Sequence, residues 1–260
     1  MSLRVDLNAD VGESFGAYSI GCDAGVMASI TSANVAAGFH GGDPSVLRAT
    51  LRLAASHGVA VGAHPGFPDL AGFGRREMAL APRDVEDLVL YQIAAVAGVA
   101  SAEGIRLQHV KPHGALYNMA ARNLELAGAI ARAVAAFDSK LIVVGLPGSR
   151  LLEAARDLRL RVAAEAFADR AYEPDGSLVS RAKPGSVIHD ESTVVSRAVR
   201  MVTRRRVQAI DGTDLPLELD TICVHGDTPG ADRLAAKIRA AVEASGVIVS
   251  NFQTSDFRLA

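Results

Sequence analysis

A chain of 260 residues with 49% hydrophobic and 22% charged side chains can bury a sizeable core, and its near balance of 27 basic against 29 acidic residues excludes the charge pattern of a nucleic-acid binder. Two distant cysteines, Cys22 and Cys223, form no C-x-x-C pair, which argues against a disulfide framework or a cysteine-built structural zinc site and suits a reducing cytoplasm. Asp6 and Asp10 interrupt the N-terminus before any long apolar run, so no secretory signal is expected, and the apolar stretch 88–102 carries Gln92 and reads as a buried helix too short to span a membrane.

Residues 3–7 and 32–36 read as strands, and Asp43-Pro44 opens a helix over 45–57, with aspartate as N-cap and proline in the first turn. A strand over 59–63 leads into a long glycine-containing loop, 67–80, and Pro82-Arg83-Asp84 then opens a helix over 84–102. Next come a strand over 108–110, a helix over 123–137, a strand over 141–144, a helix over 150–158 and a strand over 161–165. A second long loop, 167–190, turns at Asp175-Gly176, and a helix over 192–206 ends in Arg204-Arg205-Arg206, which suits a solvated helix C-terminus. An insertion over 207–219 makes a short hairpin around Asp211-Gly212, before a final strand over 221–224 and a helix over 231–245. Strand then helix, about seven times, is the α/β pattern of a parallel sheet, and its closure into a barrel accounts for one domain over 1–260.

The strand ends run into polar residues beside glycine or proline, the layout of an active-site rim. Asp10 and Glu13 form a carboxylate pair able to act as acid and base or to bind a cation; the plainer reading is a turn aspartate and a solvated glutamate. His40 and His64 end neighbouring strands, so their rings are expected close together. His57 precedes Gly58 at a helix end and reads as a cap, while His109 lies within a strand and points into the core. In Lys111-Pro112-His113-Gly114 the lysine must reach water or an anionic ligand. Glu165, Asp169 and Arg170 suit carboxylate or phosphate recognition, with a surface Asp169–Arg170 salt bridge as the alternative. His225 and Asp227 complete the ring before a helix whose N-terminal amides can hold an anion.

The chain has no G-x-x-x-x-G-K loop and no H-E-x-x-H. Gly12-Glu13-Ser14-Phe15-Gly16 matches G-x-S-x-G, but Gly16 and Gly21 fall where the required helix would run, so Ser14 is set aside as a nucleophile.

Together, the segments Asp6-Leu-Asn-Ala-Asp10-Val-Gly-Glu13, Ser32-Ala-Asn-Val-Ala-Ala-Gly-Phe-His40-Gly-Gly-Asp-Pro44, Gly62-Ala-His-Pro-Gly-Phe-Pro-Asp69, Gly72-Phe-Gly-Arg-Arg76, His109-Val-Lys-Pro-His-Gly-Ala-Leu-Tyr-Asn118 and Val224-His-Gly-Asp-Thr-Pro-Gly230 resemble the LamB/YcsF family. These motifs span residues 6–230 in order. Ala37 stands where the family often has cysteine, so no essential nucleophile is expected there, and Ser180 replaces a common proline. The resemblance implies a distorted (β/α) barrel of about seven parallel strands and the role of one component of 5-oxoprolinase, with partner subunits B and C, in hydrolysing 5-oxo-L-proline to L-glutamate. ATP, with magnesium, is the implied cosubstrate. On this reading Asp10, His40, His64 and His113 position water and move protons, while Lys111 and Arg170 hold carboxylate or phosphate. Two other classes stay open: a metal-dependent amidohydrolase or deacetylase using Asp10, His40 and His64 as ligands without ATP, and a non-catalytic binding subunit.

Overall fold

The computed structural model describes residues 3–181, 183–224 and 230–252. In chain order its elements are β1 (Arg4–Val11), α1 (Asp23–Met27), β2 (Ser32–Ala36), α2 (Pro44–Ser56), β3 (Ala60–His64), α3 (Pro82–Ala102), β4 (Leu107–Val110), α4 (Gly114–Ala120), α5 (Leu124–Phe137), β5 (Ile142–Gly145), α6 (Arg150–Asp157), β6 (Arg161–Phe167), α7 (Glu191–Arg204), β7 (Arg206–Gln208), β8 (Asp214–Pro216), β9 (Thr221–Val224), α8 (Ala231–Ala244) and β10 (Ile248–Val249).

Strands β1 to β6 pair in sequence, all parallel, and β9 pairs with both β6 and β1. A seven-stranded barrel closes, as expected. The pairs Asp10↔Asn34, Ala36↔His64 and Asp6↔Thr221 set its register, and β10 adds beside the start of β1 through Arg4↔Ile248. The expected second hairpin is β7–β8, an antiparallel pair, and Tyr172 bridges Leu178 across the Asp175-Gly176 turn.

Alternation in β1 shows how the wall is built. Val5, Leu7, Ala9 and Val11 are buried on the outer face, while Asp6, Asn8 and Asp10 make side-chain contacts to β9, to β6 and to Lys111 just past β4 that only the lumen permits. The outer faces carry the apolar burial. Helix α5 buries Leu126, Ile130 and Val134 among four alanines, whose small side chains let α3 and α6 pack closely. Each fully buried aliphatic side chain of that size stabilises by about 1.5–3 kcal/mol.

Local signals were honoured where they use contiguous residues. The Asp43 carboxylate accepts from Ser45 N and Val46 N at 2.8 and 2.9 Å, and His57 caps α2, its Nδ1 3.0 Å from Leu53 O. Helix α3 differs from expectation in one respect. At 21 residues it is long and apolar enough to cross a membrane by length and composition, yet Val85, Val89, Ile93 and Val96 are buried against the core, and buried Gln92 is matched to Gly66 through both amide groups.

Candidate active site at the barrel mouth

The lumen is polar, and its hydrogen bonds run from wall to wall. Asn8 Nδ2 donates to Glu165 Oε1 at 3.0 Å and Thr221 Oγ1 at 2.7 Å; Asn34 Nδ2 donates to Asn8 Oδ1 at 2.7 Å and Asp10 Oδ1 at 2.8 Å. His109, placed in the core as expected, donates through Nε2 to Asn34 Oδ1 at 2.7 Å. Deeper still, Asp6 accepts from the hydroxyls of Thr31, Ser32 and Thr221. This network ties strands β1, β2, β4, β6 and β9 together, although Glu165 Oε2 and His109 Nδ1 are buried without a hydrogen-bond partner.

Above this network lies the site. Asp10 is within β1 rather than after it, because its side chain continues the inward alternation and is bonded there. Lys111, one residue past β4, sends Nζ across the lumen to Asp10 Oδ1 at 2.9 Å, Glu165 Oε1 at 2.8 Å, Asn8 Oδ1 at 3.2 Å and Cys223 Sγ at 3.1 Å. Burial alone would push its ammonium down, but the Asp10 and Glu165 carboxylates hold it well above the usual range. Burial likewise opposes ionisation of Asp10, and its neighbours His64 and Lys111 outweigh it, leaving the carboxyl well below its ordinary value. This corrects the expectation that Lys111 meets an anionic ligand: one cation between two carboxylates leaves no positive charge to offer.

Three imidazoles and Glu13 gather beside Asp10. His40 and His113 stack face to face, 3.7 Å between centroids and 5° from parallel, and His64 stands edge-on to both. The close approach of His40 and His113 is set by the 67–80 loop, where Gly74 at φ +63° presses on both rings; a Cβ there would fall 2.7 Å from His40 Cβ and 2.8 Å from His113 Cδ2. His40 Nε2 lies 3.2 Å from Glu13 Oε1, His113 Nδ1 3.4 Å from the same oxygen, and His64 Nε2 3.3 Å from Asp10 Oδ2. Burial first, and then the neighbouring imidazoles, push His113 down to about 3 and His40 well below its ordinary value, so both rings are neutral at pH 7. The ligand atoms of Glu13, His40, His64 and His113 all lie within 4.8 Å of one another, a set that could hold a metal ion. Against the Asp10, His40 and His64 ligand set, the structure brings in Glu13 and His113 and engages Asp10 with Lys111.

A cleft of about 520 Å³ opens over this cluster. Asp10, Glu13, His64, Lys111 and His113 form part of its lining, and Tyr117, Phe167 and Leu146 supply apolar wall. Four arginines, Arg75, Arg122, Arg170 and Arg181, stand around it. Arg170, expected at the site, is held by Ser186 O at 3.2 Å and Val179 O at 2.7 Å, which uses two of its five donors. Burial, and then Arg181 nearby, lowers its guanidinium to about 10.

Glu165 and Asp169, expected to bind substrate, are not part of the wall among the described residues: both are buried, and Glu165 serves Lys111 from inside β6. His40 is covered by the His113 ring and does not line the cleft either. His225 and Asp227 lie outside the described residues. Sequence reasoning missed Asn8 and Asn34 as links in the network, although the alternation Asp6, Asn8, Asp10 was available as a signal. It also missed Arg75, although that residue stands in the quoted segment Gly72-Phe-Gly-Arg-Arg76, and Arg122 and Arg181, which lie in or near loops.

The model of the LamB/YcsF family matches residues 5–256. The chain belongs to the LamB/YcsF family. A LamB/YcsF relative from Syntrophobacter fumaroxidans, named as the A component of 5-oxoprolinase, is 56% identical over 247 residues, spanning 95% of this chain and 98% of that one. The protein of the same name from Thermococcus onnurineus is 55% identical over 247 residues, with 95% and 97% covered. The crystal structure of the lactam utilization protein from Thermus thermophilus superposes with a TM-score of 0.92 at 52% identity, covering 96% of this chain and all of that one (100%). A family 4 carbohydrate esterase from Streptomyces lividans, at 11% identity and TM-score 0.51 over 99% and 97% of the chains, shares the fold alone. The LamB/YcsF barrel is thus a TIM-like fold of deacetylase-like shape, and the lettered name of those relatives implies that they act with other subunits.

Proposed function

We propose that this chain is the A component of a 5-oxoprolinase, a hydrolase opening the lactam ring of 5-oxo-L-proline to L-glutamate together with subunits B and C. The observation that carries the reading is the cleft: a floor of carboxylates and imidazoles, Asp10, Glu13, His64 and His113, beneath a rim of four arginines. Such a site suits a small anion whose carbonyl carbon must meet water. Relatives that carry the 5-oxoprolinase name, 52–56% identical over nearly the whole chain, support the substrate class.

An unstrained lactam is a poor electrophile, and ATP, with magnesium, is the proposed cosubstrate: phosphorylation of the carbonyl oxygen activates the carbonyl carbon, so that water adds, the ring nitrogen leaves as the amine, and the acyl phosphate so formed is hydrolysed to L-glutamate and phosphate. The chain contributes the rest. Arg75, Arg122, Arg170 and Arg181 receive carboxylate and phosphate oxygens, a role in which Lys111 is replaced by its neighbours because its charge is already matched. Asp10, held ionised and aimed by Lys111 and Asn34, orients water and takes its proton. Lys111 therefore acts as a positioning residue. Absence of a glycine-rich phosphate loop from the sequence favours nucleotide binding on a partner subunit. The free thiols Cys22 and Cys223 support a cytoplasmic setting.

The test is glutamate release and ATP consumption by the three-subunit complex. Asp10→Asn is expected to lower glutamate formation by roughly 10²–10⁴-fold while the complex still assembles. A complex carrying this variant at wild-type rate, or subunits B and C alone matching the full complex, overturns the reading.

A further inference from the structure

The histidine cluster holds more lone pairs than hydrogens to place between them. A backbone carbonyl can only accept, so His64 Nδ1, 2.6 Å from Lys111 O, and His113 Nε2, 2.8 Å from Phe73 O, each carry their ring's N–H. In a neutral ring that leaves His64 Nε2 and His113 Nδ1 as bare lone pairs. These two nitrogens nevertheless face each other at 3.0 Å. Carboxylate oxygens crowd the same point: Asp10 Oδ2 lies 3.3 Å from His64 Nε2, and Glu13 Oε1 3.4 Å from His113 Nδ1. Acceptors at such separations repel unless a positive centre lies among them.

His40 completes the ring of donors. Its Nδ1 is buried without a hydrogen-bond partner and faces Gly66, where a Cβ would stand only 2.5 Å away. Nε2 alone is turned toward Glu13. We propose that Glu13, His40, His64 and His113 form a binding site for one divalent transition-metal ion of the imidazole-preferring class, zinc foremost. Bonds of about 2.0–2.2 Å put adjacent corners of a tetrahedron roughly 3.3–3.6 Å apart; three of the observed separations, 3.0, 3.2 and 3.4 Å, lie close to that, and all four ligand atoms lie within 4.8 Å of one another, so closing on the ion draws the cluster together. The carbonyls behind His64 and His113 are the orienting partners that metal-binding imidazoles use to fix tautomer and direction. Three imidazoles and one carboxylate also match the ligand preference of such metals and not that of magnesium or calcium.

The inference stands on this geometry whether or not the chain acts on 5-oxoproline. Its test therefore uses no substrate and no nucleotide. The chain, without a polyhistidine tag, is freed of metal with a chelator and titrated with Zn²⁺, Mn²⁺ and Co²⁺, reading bound metal by mass spectrometry, the cobalt visible spectrum and the melting temperature. One equivalent of at least one ion is expected, with a cobalt spectrum of nitrogen and oxygen ligation and a melting temperature several degrees higher. His64→Ala and His113→Ala each weaken binding roughly ten-fold or more, as does the milder Glu13→Gln, while His57→Ala, on the exposed end of α2, binds as wild type. Comparing metal-free melting temperatures separates lost ligation from lost folding. A metal-free wild-type chain that takes up none of the three ions at about 100 μM, far above the range of built zinc sites, overturns the proposal.

Discussion

Lys111 and Asp10 meet across the barrel lumen, Nζ to Oδ1 at 2.9 Å, from strands that do not neighbour each other. With Glu165 on the other side of the ammonium, two carboxylates share a single buried cation. Removing that cation leaves two carboxylates without the ammonium between them, at the largely enclosed floor of the cleft. Lys111→Met is expected to cost about 3–5 kcal/mol in urea unfolding at pH 7. The loss shrinks as pH falls, because the stranded carboxyls take up protons; a variant as stable as wild type at pH 7 contradicts this account.

Asp6 has the opposite electrostatics. Burial outweighs its three hydroxyl donors and raises its carboxyl from 3.8 to about 6. A folded value above the unfolded one means that the native state holds the proton more tightly. Its stabilising contribution is complete below pH 3.8 and is lost as pH rises through about 6. Relative to Asp6→Asn, wild type should therefore lose up to about 3 kcal/mol between those limits. Chemical denaturation of both chains across pH 4–7 checks it, and parallel profiles count against the shift.

Gly62 and His109 are packed too tightly for any side chain at position 62. A Cβ there would fall 2.2 Å from the His109 ring, which is buried and tied to Asn34. Gly62→Ala is expected to destabilise by about 1–3 kcal/mol through overpacking. Shortening the ring relieves the clash, so Gly62→Ala with His109→Ala should cost less than the two singles summed. Simple additivity in the unfolding measurements would show that the two sites do not press on each other.

The arginine rim and the basic floor of the cleft should separate kinetically in the assembled enzyme. Arg122→Ala and Arg181→Ala, at the cleft rim, are expected to raise KM for the anionic substrate roughly three- to ten-fold with kcat nearly unchanged. Arg132→Ala, paired with Glu86 away from the cleft, is the control and leaves both constants alone. A fall in kcat at constant KM would assign these arginines to the chemical step instead.

Helix boundaries came within one or two residues of the sequence reading because each rests on neighbours in the chain, as at Asp43-Pro44 and at Asn123, whose Oδ1 accepts from Leu126 N at 3.1 Å. Short elements were less legible. The seven residues of α4 start two positions after Pro112, and β10 has only two residues, so neither offers a period to detect. Within the site, Asp10, Glu13, His40, His64, Lys111 and His113 were all singled out by their place at strand ends. Their partners were not. Nothing local couples His64 to His113, 49 positions apart, or turns Lys111 away from solvent.

Order along the chain, strand type, capping and the choice of chemistry-bearing residues are determined by the sequence alone, since propensity, periodicity and caps act over a few residues. The sequence also marks the family. Barrel closure decides the rest: joining β9 to β1 makes one enclosed space of the inner faces, so alternating polar residues that could have faced water become a buried, mutually bonded network. Enclosure is what turns Lys111 from a ligand-seeking cation into the partner of Asp10, and what presses three imidazoles and Glu13 into one metal-sized cluster, because buried charges and lone pairs must find partners across the lumen.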